Sequence, residues 1–354
     1  MSNIFARSPF IVDIDEAGQT ASKVELYIWN TGSEPATPQY VLTKNIPASN
    51  NVLTTYNISP MLREYISFVT RQNPFNSTGV SSSFQKCNVT IKRYTFISEY
   101  ILLDTMTYSA FDGYTYYTQG SNTDLGDYHL DQMTYTYYYA GATSNPSAVQ
   151  NERAGFIRLF ANGGDKRRWT NLRTGAQSTG ALTAGWVDLP RLNPSNYADG
   201  NMLEILDAGN NLLASWTFEP LEECKYSPIV IDFVNRYGSW QREWFFKASN
   251  ESINVDSIDY NLMQSDLVDY DVLEGQKKSF NTNANETIKV NTGWVLQSFN
   301  DTLKQIMLSE RILLDNKPAK LNTKGTELFK HINKNLINYT LDFEYSFDTI
   351  NSVV

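Results

Sequence analysis

The chain has 354 residues, of which 41% are hydrophobic and 19% charged, and its net charge is −9. That length exceeds what one hydrophobic core ordinarily organises, and the apolar share is too high for a largely disordered chain. The negative balance disfavours nucleic acid as a main partner, and no run of about 18 apolar residues is present to insert into a membrane as a helix.

The opening residues Met1–Arg7 lack the basic and apolar regions of a signal peptide, and Pro9 and Asp13 interrupt any such reading. Pro9–Ile14, a polar turn at Glu16–Gln19 and Val24–Trp29 predict a hairpin. Asp13–Gly18 starts like a calcium loop. Ala17 at the fifth position and Val24 at the twelfth withhold ligands, so a turn is the better reading. Further strands are expected at Tyr40–Leu42, Val52–Tyr56, Cys87–Ile91 and Ile101–Leu103. Between them Ser59–Ile66 reads as a short helix capped by Ser59, with Pro60 at the first helical position.

Residues 100–139 hold ten of the 22 tyrosines. Leu103–Tyr108 recurs as Leu130–Tyr135, which predicts neighbouring strands of one sheet flanking an exposed loop, Phe111–Asp127, rich in turn formers. Gly155–Phe160 and Trp186–Leu189 continue the β pattern, and Lys166-Arg167-Arg168-Trp169 after the turn-like Asn162–Asp165 reads as a solvated loop. Leu203–Leu206 and Leu212–Phe218 form a hairpin on the turn Asp207–Asn211, and Pro220 with Glu222 and Glu223 marks a boundary before Cys224.

A hairpin follows at Pro228–Val234 and Trp240–Lys247, turning at Asn235–Gly238. It echoes the N-terminal one, since both start with Ser-Pro and carry an aspartate four residues after the proline, Asp13 and Asp232. A duplicated sandwich and recurrent hairpin grammar explain this equally well. One longer helix is expected from Gly293 to Glu310, with Trp294, Val295, Phe299, Leu303, Ile306 and Met307 on one face and Gln297, Asn300, Asp301 and Lys304 on the other. Asn338–Phe347 alternates apolar and polar residues as a half-buried strand.

The expected fold is mainly β, with two or three β-sandwich-like domains, the C-terminal one carrying a flanking α-helix. The expected divisions are an N-terminal domain at 1–99, a Tyr-rich domain with an exposed loop at 100–222, and a C-terminal assembly module at 223–354.

Candidate chemistry is sparse. His129 and His331 are the two histidines, too few for a histidine-rich metal site, and each reads as an ordinary surface or partly packed side chain. Cys87 and Cys224 match no metal or redox spacing and read as free thiols of a reducing cytoplasm, with one long-range disulfide as the alternative. No phosphate-binding glycine loop or dinucleotide fingerprint occurs. Carboxylates are abundant, but no spacing in sequence sets the roughly 5 to 10 Å separation that glycoside hydrolysis needs. The chain is therefore read as non-enzymatic, with no catalytic residue, cofactor or metal. Exposed tyrosines stack on sugars and anchor protein interfaces, which makes Tyr114, Tyr116, Tyr117, Tyr128, Tyr137 and Tyr139 a candidate contact surface. Tyrosine is also a favoured strand residue, and Tyr135–Tyr139 can line both faces of a sheet without binding anything.

Tyr56–Ile66, Ala110–Tyr114, Cys224–Pro228, Phe233–Gly238 and Leu336–Tyr345 resemble segments of virion structural proteins of tailed bacteriophages that infect Bacteroidota. The resemblance runs as scattered phrases along most of the chain and transfers no catalytic residue. It implies a tail, baseplate or neck component that forms a ring or trimer with itself and docks other virion proteins through sheet edges and loops. Its place would be the virion, after assembly in the bacterial host cytoplasm. A carbohydrate-binding or host-receptor module engaging a host glycan through Tyr114, Tyr116, Tyr117 and the loop to Tyr128 is the alternative reading, and a polysaccharide-degrading enzyme the third.

Overall fold

The computed structural model describes residues 3–30, 32–47, 52–66, 86–123, 135–141, 153–261, 273, 275–328 and 336–351. The chain is mainly β, in sheets of mixed topology, and divides into two compact units. The first comprises Met1–Glu222 and Phe233–Glu243, the second Glu223–Asp232 and Trp244–Val354.

In the first unit, β1 (Asn3–Phe5), β3 (Ala21–Trp29), β4 (Tyr40–Asn45), β6 (Lys86–Phe96) and β7 (Tyr100–Phe111) make a sheet of order β1-β7-β6-β3-β4. β1 runs parallel to β7, and the other pairs are antiparallel. Residues 97–99 form the turn between β6 and β7, with Phe96 opposite Tyr100. β2 (Ile11–Ile14) pairs with β5 (Thr54–Asn57), so the hairpin expected between Pro9–Ile14 and Val24–Trp29 does not form. The turn at Glu16–Gln19 instead carries the chain from one sheet to another. Ser22 on β3 bonds Thr54 and Tyr56 on β5, each at 2.6 Å, so its buried hydroxyl is satisfied across the two sheets. Val24, Leu26, Ile28, Val89 and Ile91 form the apolar floor beneath that contact.

The helix α1 (Ser59–Tyr65) forms where expected, one residue out of register with its cap. Ile58 holds the cap position, while Ser59 Oγ donates to Ser8 O at 2.6 Å and accepts from Phe10 N at 2.9 Å. The hydroxyl is thereby engaged with the connection between β1 and β2 and not with the helix's own first turn.

The remainder of the first unit holds β8 (Tyr135–Tyr139), β9 (Phe156–Ala161), β10 (Lys166–Asn171), β11 (Gln177–Ala181), β12 (Gly185–Pro190), β13 (Asn201–Leu206) and β14 (Leu212–Leu221). They form a sheet of order β11-β10-β13-β14-β8 and the pair β12-β9. The basic cluster at Lys166–Trp169 is thus a strand and not a loop. Arg168 lies opposite Glu204 and bonds it at 2.7 and 2.8 Å, which makes the charge a cross-strand pair. β8 runs parallel to β14, in a different sheet from β7. Residues 130–134 of the second repeat copy lie outside the described residues.

β15 (Ile229–Val234) and β16 (Trp240–Phe245) form the expected hairpin, whose tip belongs to the first unit. Asn235 shapes the turn: its Oδ1 accepts from Tyr237 N and Ser239 N at 3.0 and 3.1 Å, and its carbonyl accepts from Gly238 N at 3.0 Å. Gly238 takes φ +76°, a conformation that side chains disfavour. Tyr237 is fully buried with Phe5 and Phe111, and the half-buried Trp186 packs on the same cluster. Thr136 on β8 donates to Glu243 at 2.7 Å, and Arg191 donates to Arg242 O at 3.1 Å.

The second unit contains the base of that hairpin, β17 (Asn250–Asn261), β18 (Lys277–Leu296), α2 (Phe299–Met307), β19 (Ile312–Leu314), β20 (Lys317–Leu321) and β21 (Leu336–Asp348). The sheet order is β16-β15-β19-β20-β21-β18-β17. β21 alternates as its sequence suggests, burying Ile337, Tyr339, Leu341, Phe343 and Tyr345, while Phe347 is exposed. The expected helix starts later than its periodicity implied. Trp294 and Val295 lie in β18 opposite Asn338 and Ile337, with Trp294 exposed and Val295 buried. Asn300 is buried too, its side chain accepting a hydrogen bond from the Tyr339 hydroxyl, so it does not belong to the polar face.

A Cβ on Gly113 would sit 2.5 Å from Arg236 O and 2.7 Å from Tyr237 C, whereas one on Gly163 would meet nothing within 4 Å. Gly113→Ala should therefore destabilise the first unit by about 1–3 kcal/mol, while Gly163→Ala should stay within about 0.5 kcal/mol. Thermal unfolding of the two variants checks this; equal melting temperatures would mean that the turn is not seated against Gly113.

Candidate functional site

The tyrosine excursion is held far more firmly than an exposed loop would be. Tyr114 N donates to Arg236 O at 2.7 Å, and Thr115 N donates to Ser8 Oγ at 2.8 Å. The Arg7 guanidinium lies 4.9 Å from the Tyr114 ring, and that of Arg236 lies 4.6 Å from the Tyr116 ring while donating to Gln119 at 3.0 Å. Residues 117–119 form a single 3-10 turn, closed by Gln119 Oε1 accepting from Tyr116 N at 2.8 Å. Beyond it, Asn122 adopts φ 57° and brackets the backbone of Ile11, accepting from its N–H at 2.5 Å and donating to its carbonyl at 2.6 Å. The amide thus continues the pairing of β2 as an extra strand residue would.

Of the six candidate tyrosines, Tyr114 is buried, Tyr116 half-buried and Tyr117 fully exposed. Tyr137 and Tyr139 are half-buried on β8, where Arg153 stacks on Tyr139 at 4.6 Å. Tyr128, like His129 and His331, lies outside the described residues. The Tyr114–Tyr117 segment and β8 are separate elements; Tyr114 meets Tyr116 edge-on at 6.0 Å, and Tyr137 meets Tyr135 edge-on at 5.4 Å. Burial pushes the Tyr114 phenol up to about 12, with Tyr116 adding and Arg7 and Arg236 opposing, so it stays neutral at ordinary pH. Tyr138, missing from the candidate set, is buried and donates to Tyr197 O at 2.5 Å.

A groove of about 550 Å3 lies beside the excursion, lined by Arg7, Ser8, Asn57, Ser59, Arg63 and Glu64 among others. Its charges are engaged within the fold. Arg63 approaches Asp112 at 3.5 Å, and Glu64 accepts from the Tyr40 hydroxyl at 3.1 Å. Among the described residues no group of three or more His, Cys, Asp or Glu side chains is placed to hold a metal ion.

A different surface went unnoticed in the sequence. Every residue of β17, the last strand of its sheet among the described residues, is exposed. Ile253 and Val255 are 58% and 59% exposed, opposite Glu286 and Ala284 of β18. Nearer the tip, Ile258 faces Phe280, and the ring of Phe280 meets Tyr260 edge-on at 5.6 Å. Asn281, at φ 55°, accommodates the register shift between these two stretches. Beside the edge, Glu251, Ser252, Ile253, Glu286, Thr287 and Tyr345 line a groove of about 240 Å3. The Tyr345 ring stacks on Phe347 at 5.6 Å, and Lys317 lies 5.2 Å from its centre. Burial first, then the carboxylates of Glu251, Asp315 and Glu286, raise the Tyr345 phenol above its usual range. The signal was present in the alternation Ile253-Asn254-Val255 and Ile258-Asp259-Tyr260.

No protein-family model matches the chain, and no curated protein sequence matches it significantly.

Two measurements test this geometry. Arg236→Ala, which removes a buried guanidinium from Tyr116 and Gln119, should lower stability by about 1–3 kcal/mol, whereas Tyr117→Ala should change it by less than about 0.5 kcal/mol. Separately, burial pushes the Cys87 thiol up to about 12, while Cys224 is exposed. One thiol should react with a disulfide reagent at pH 8 in the native protein and two after denaturation; rapid modification of Cys87 in the folded state would contradict the placement of β6.

Proposed function

We propose that this chain is a structural component of a tailed-phage virion, in the tail, baseplate or neck, acting by assembly with neighbouring virion proteins and not by turnover. The observation that carries the reading is β17, a twelve-residue edge strand with exposed Ile253, Val255, Ile258 and Tyr260. A long exposed edge with apolar side chains invites pairing with another chain, and a protein that functioned alone would ordinarily cover or shorten it. The phage-like phrases at Tyr56–Ile66 and Leu336–Tyr345 support the same reading.

In this proposal the sheets are β-sandwich-like modules. The Ser22, Thr54 and Tyr56 bonds between two sheets of the first unit support that arrangement, and in the second unit α2 buries Phe299, Leu303 and Ile306 and accepts at Asn300 the hydrogen bond of Tyr339 on β21. The chain forms a ring or trimer with itself and contacts other virion proteins. A second reading, contact with a host glycan, draws on the fully exposed ring of Tyr117.

Mass spectrometry of purified particles is expected to find the chain at a fixed stoichiometry, and the purified protein is expected to oligomerise. A strictly monomeric protein absent from particles would overturn the proposal. Binding to a glycan array that disappears in Tyr117→Ala would favour the second reading.

A further inference from the structure

We propose that β17 is a docking edge for an extended segment of a neighbouring protein in which Lys or Arg residues alternate with β-branched ones. This inference rests on the assembly reading above and names the chemistry of the partner.

The edge offers a strand's backbone together with one face shared by Glu251, Ile253 and Val255. Behind Ile253 on that face stands Glu286, and the groove between them is floored by Tyr345. Neither Glu251 nor Glu286 has an ion-pair partner within 4 Å among the described residues. The remaining acids of the strand are Asp256 and Asp259, and the latter accepts a hydrogen bond from Ser279 at 2.5 Å. β17 itself contains no basic residue.

That composition argues against a second copy of β17 as the occupant. In an antiparallel self-pair the outward amides alternate on both strands, so opposed residues share the same parity. Two such registers give the greatest overlap of the strand with itself. Centred on Val255, the pair sets Glu251 opposite Asp259; centred on Asp256, it sets that carboxylate opposite its own copy. Other registers give up backbone hydrogen bonds. An incoming strand that turns its Lys or Arg side chains to the face of Glu251, Ile253 and Val255 reverses the sign of these contacts, because its charges reach Glu251 and Glu286 while their stems lie on Ile253 and Val255, and its β-branched residues, on the opposite face, run beside Ile258. Acidic residues on the edge therefore exclude like strands and admit a basic one.

The test titrates the full-length protein with a labelled peptide of about nine residues alternating Lys with Val or Ile, long enough to pair most of an edge strand. Its controls are the same peptide with Glu for Lys and the basic peptide N-methylated at alternate amides. Binding of the basic peptide is expected to fall about tenfold or more in the Glu251→Lys, Glu286→Lys double variant. It should also weaken on raising salt from about 50 mM to about 500 mM. The acidic and N-methylated peptides should not bind. Glu251→Gln with Glu286→Gln repeats the comparison without reversed charge, and an unchanged circular dichroism spectrum confirms that either variant is folded. Equal binding of acidic and basic peptides, indifference to N-methylation, or self-association of the unmodified protein that protects β17 amides from exchange would overturn the proposal. Presence in particles without peptide binding removes this inference alone, whereas peptide binding by a protein absent from particles removes the virion reading and leaves the docking edge.

Discussion

The backbone-to-backbone approach of Asp112–Tyr114 and Arg236–Gly238 is the contact on which the first unit depends. Gly113 and Gly238 both stand where a Cβ would enter the opposing main chain at under 3 Å, so the approach exists because neither has one. The Tyr114 amide bonds the Arg236 carbonyl across it, and the Tyr237 ring fills the space beside Phe5 and Phe111. β1, β7, β12 and the hairpin tip therefore meet in one aromatic cluster, with ring pairs at 6.0 Å for Phe5–Tyr237 and 4.8 Å for Phe111–Trp186. The arginines at Arg7 and Arg236 are positioned by the same contact, which is why the tyrosine segment after Gly113 is clamped.

Polar side chains serve as strand ends and turns throughout this unit. Asn235 closes the hairpin, Asn122 completes the pairing of β2, Ser59 receives the amide of Phe10, and Gln19 donates to the carbonyl of Ile14 at 3.0 Å. Each satisfies backbone groups that a sheet edge or turn leaves open, so each costs less buried than it would unpaired. β17 is the counterpart in the second unit: a strand whose outer edge no side chain or neighbouring segment closes among the described residues.

Much of this was legible in the residues. The alternation of Tyr339, Leu341, Phe343 and Tyr345 described β21, the turn chemistry of Asp207–Asn211 described the β13–β14 hairpin, and Asn235–Gly238 described the hairpin tip. The failures share a cause. Ile11–Ile14 and Val24–Trp29 are adjacent in sequence and each is a strand, but which strands pair is a property of the whole sheet. The start of the C-terminal helix failed for a related reason, since Trp294 and Val295 suit a helical stripe and a strand alike until Asn338 and Ile337 supply the partner.

The sequence by itself determined that this is a mainly β chain, where most of its strands and tight turns lie, and that its chemistry is poor in histidine and cysteine. Those properties follow from local periodicity, turn residues and composition, which need no partner. Tertiary structure alone decided that the 233–243 tip is built into the first unit, that Tyr114 is interior while Tyr117 is exposed, and that β17 lies at an edge with its apolar residues uncovered. Burial and edge position depend on what packs against a residue from distant parts of the chain, and the alternation that makes Ile253 and Val255 a strand carries no record of whether anything lies beside it.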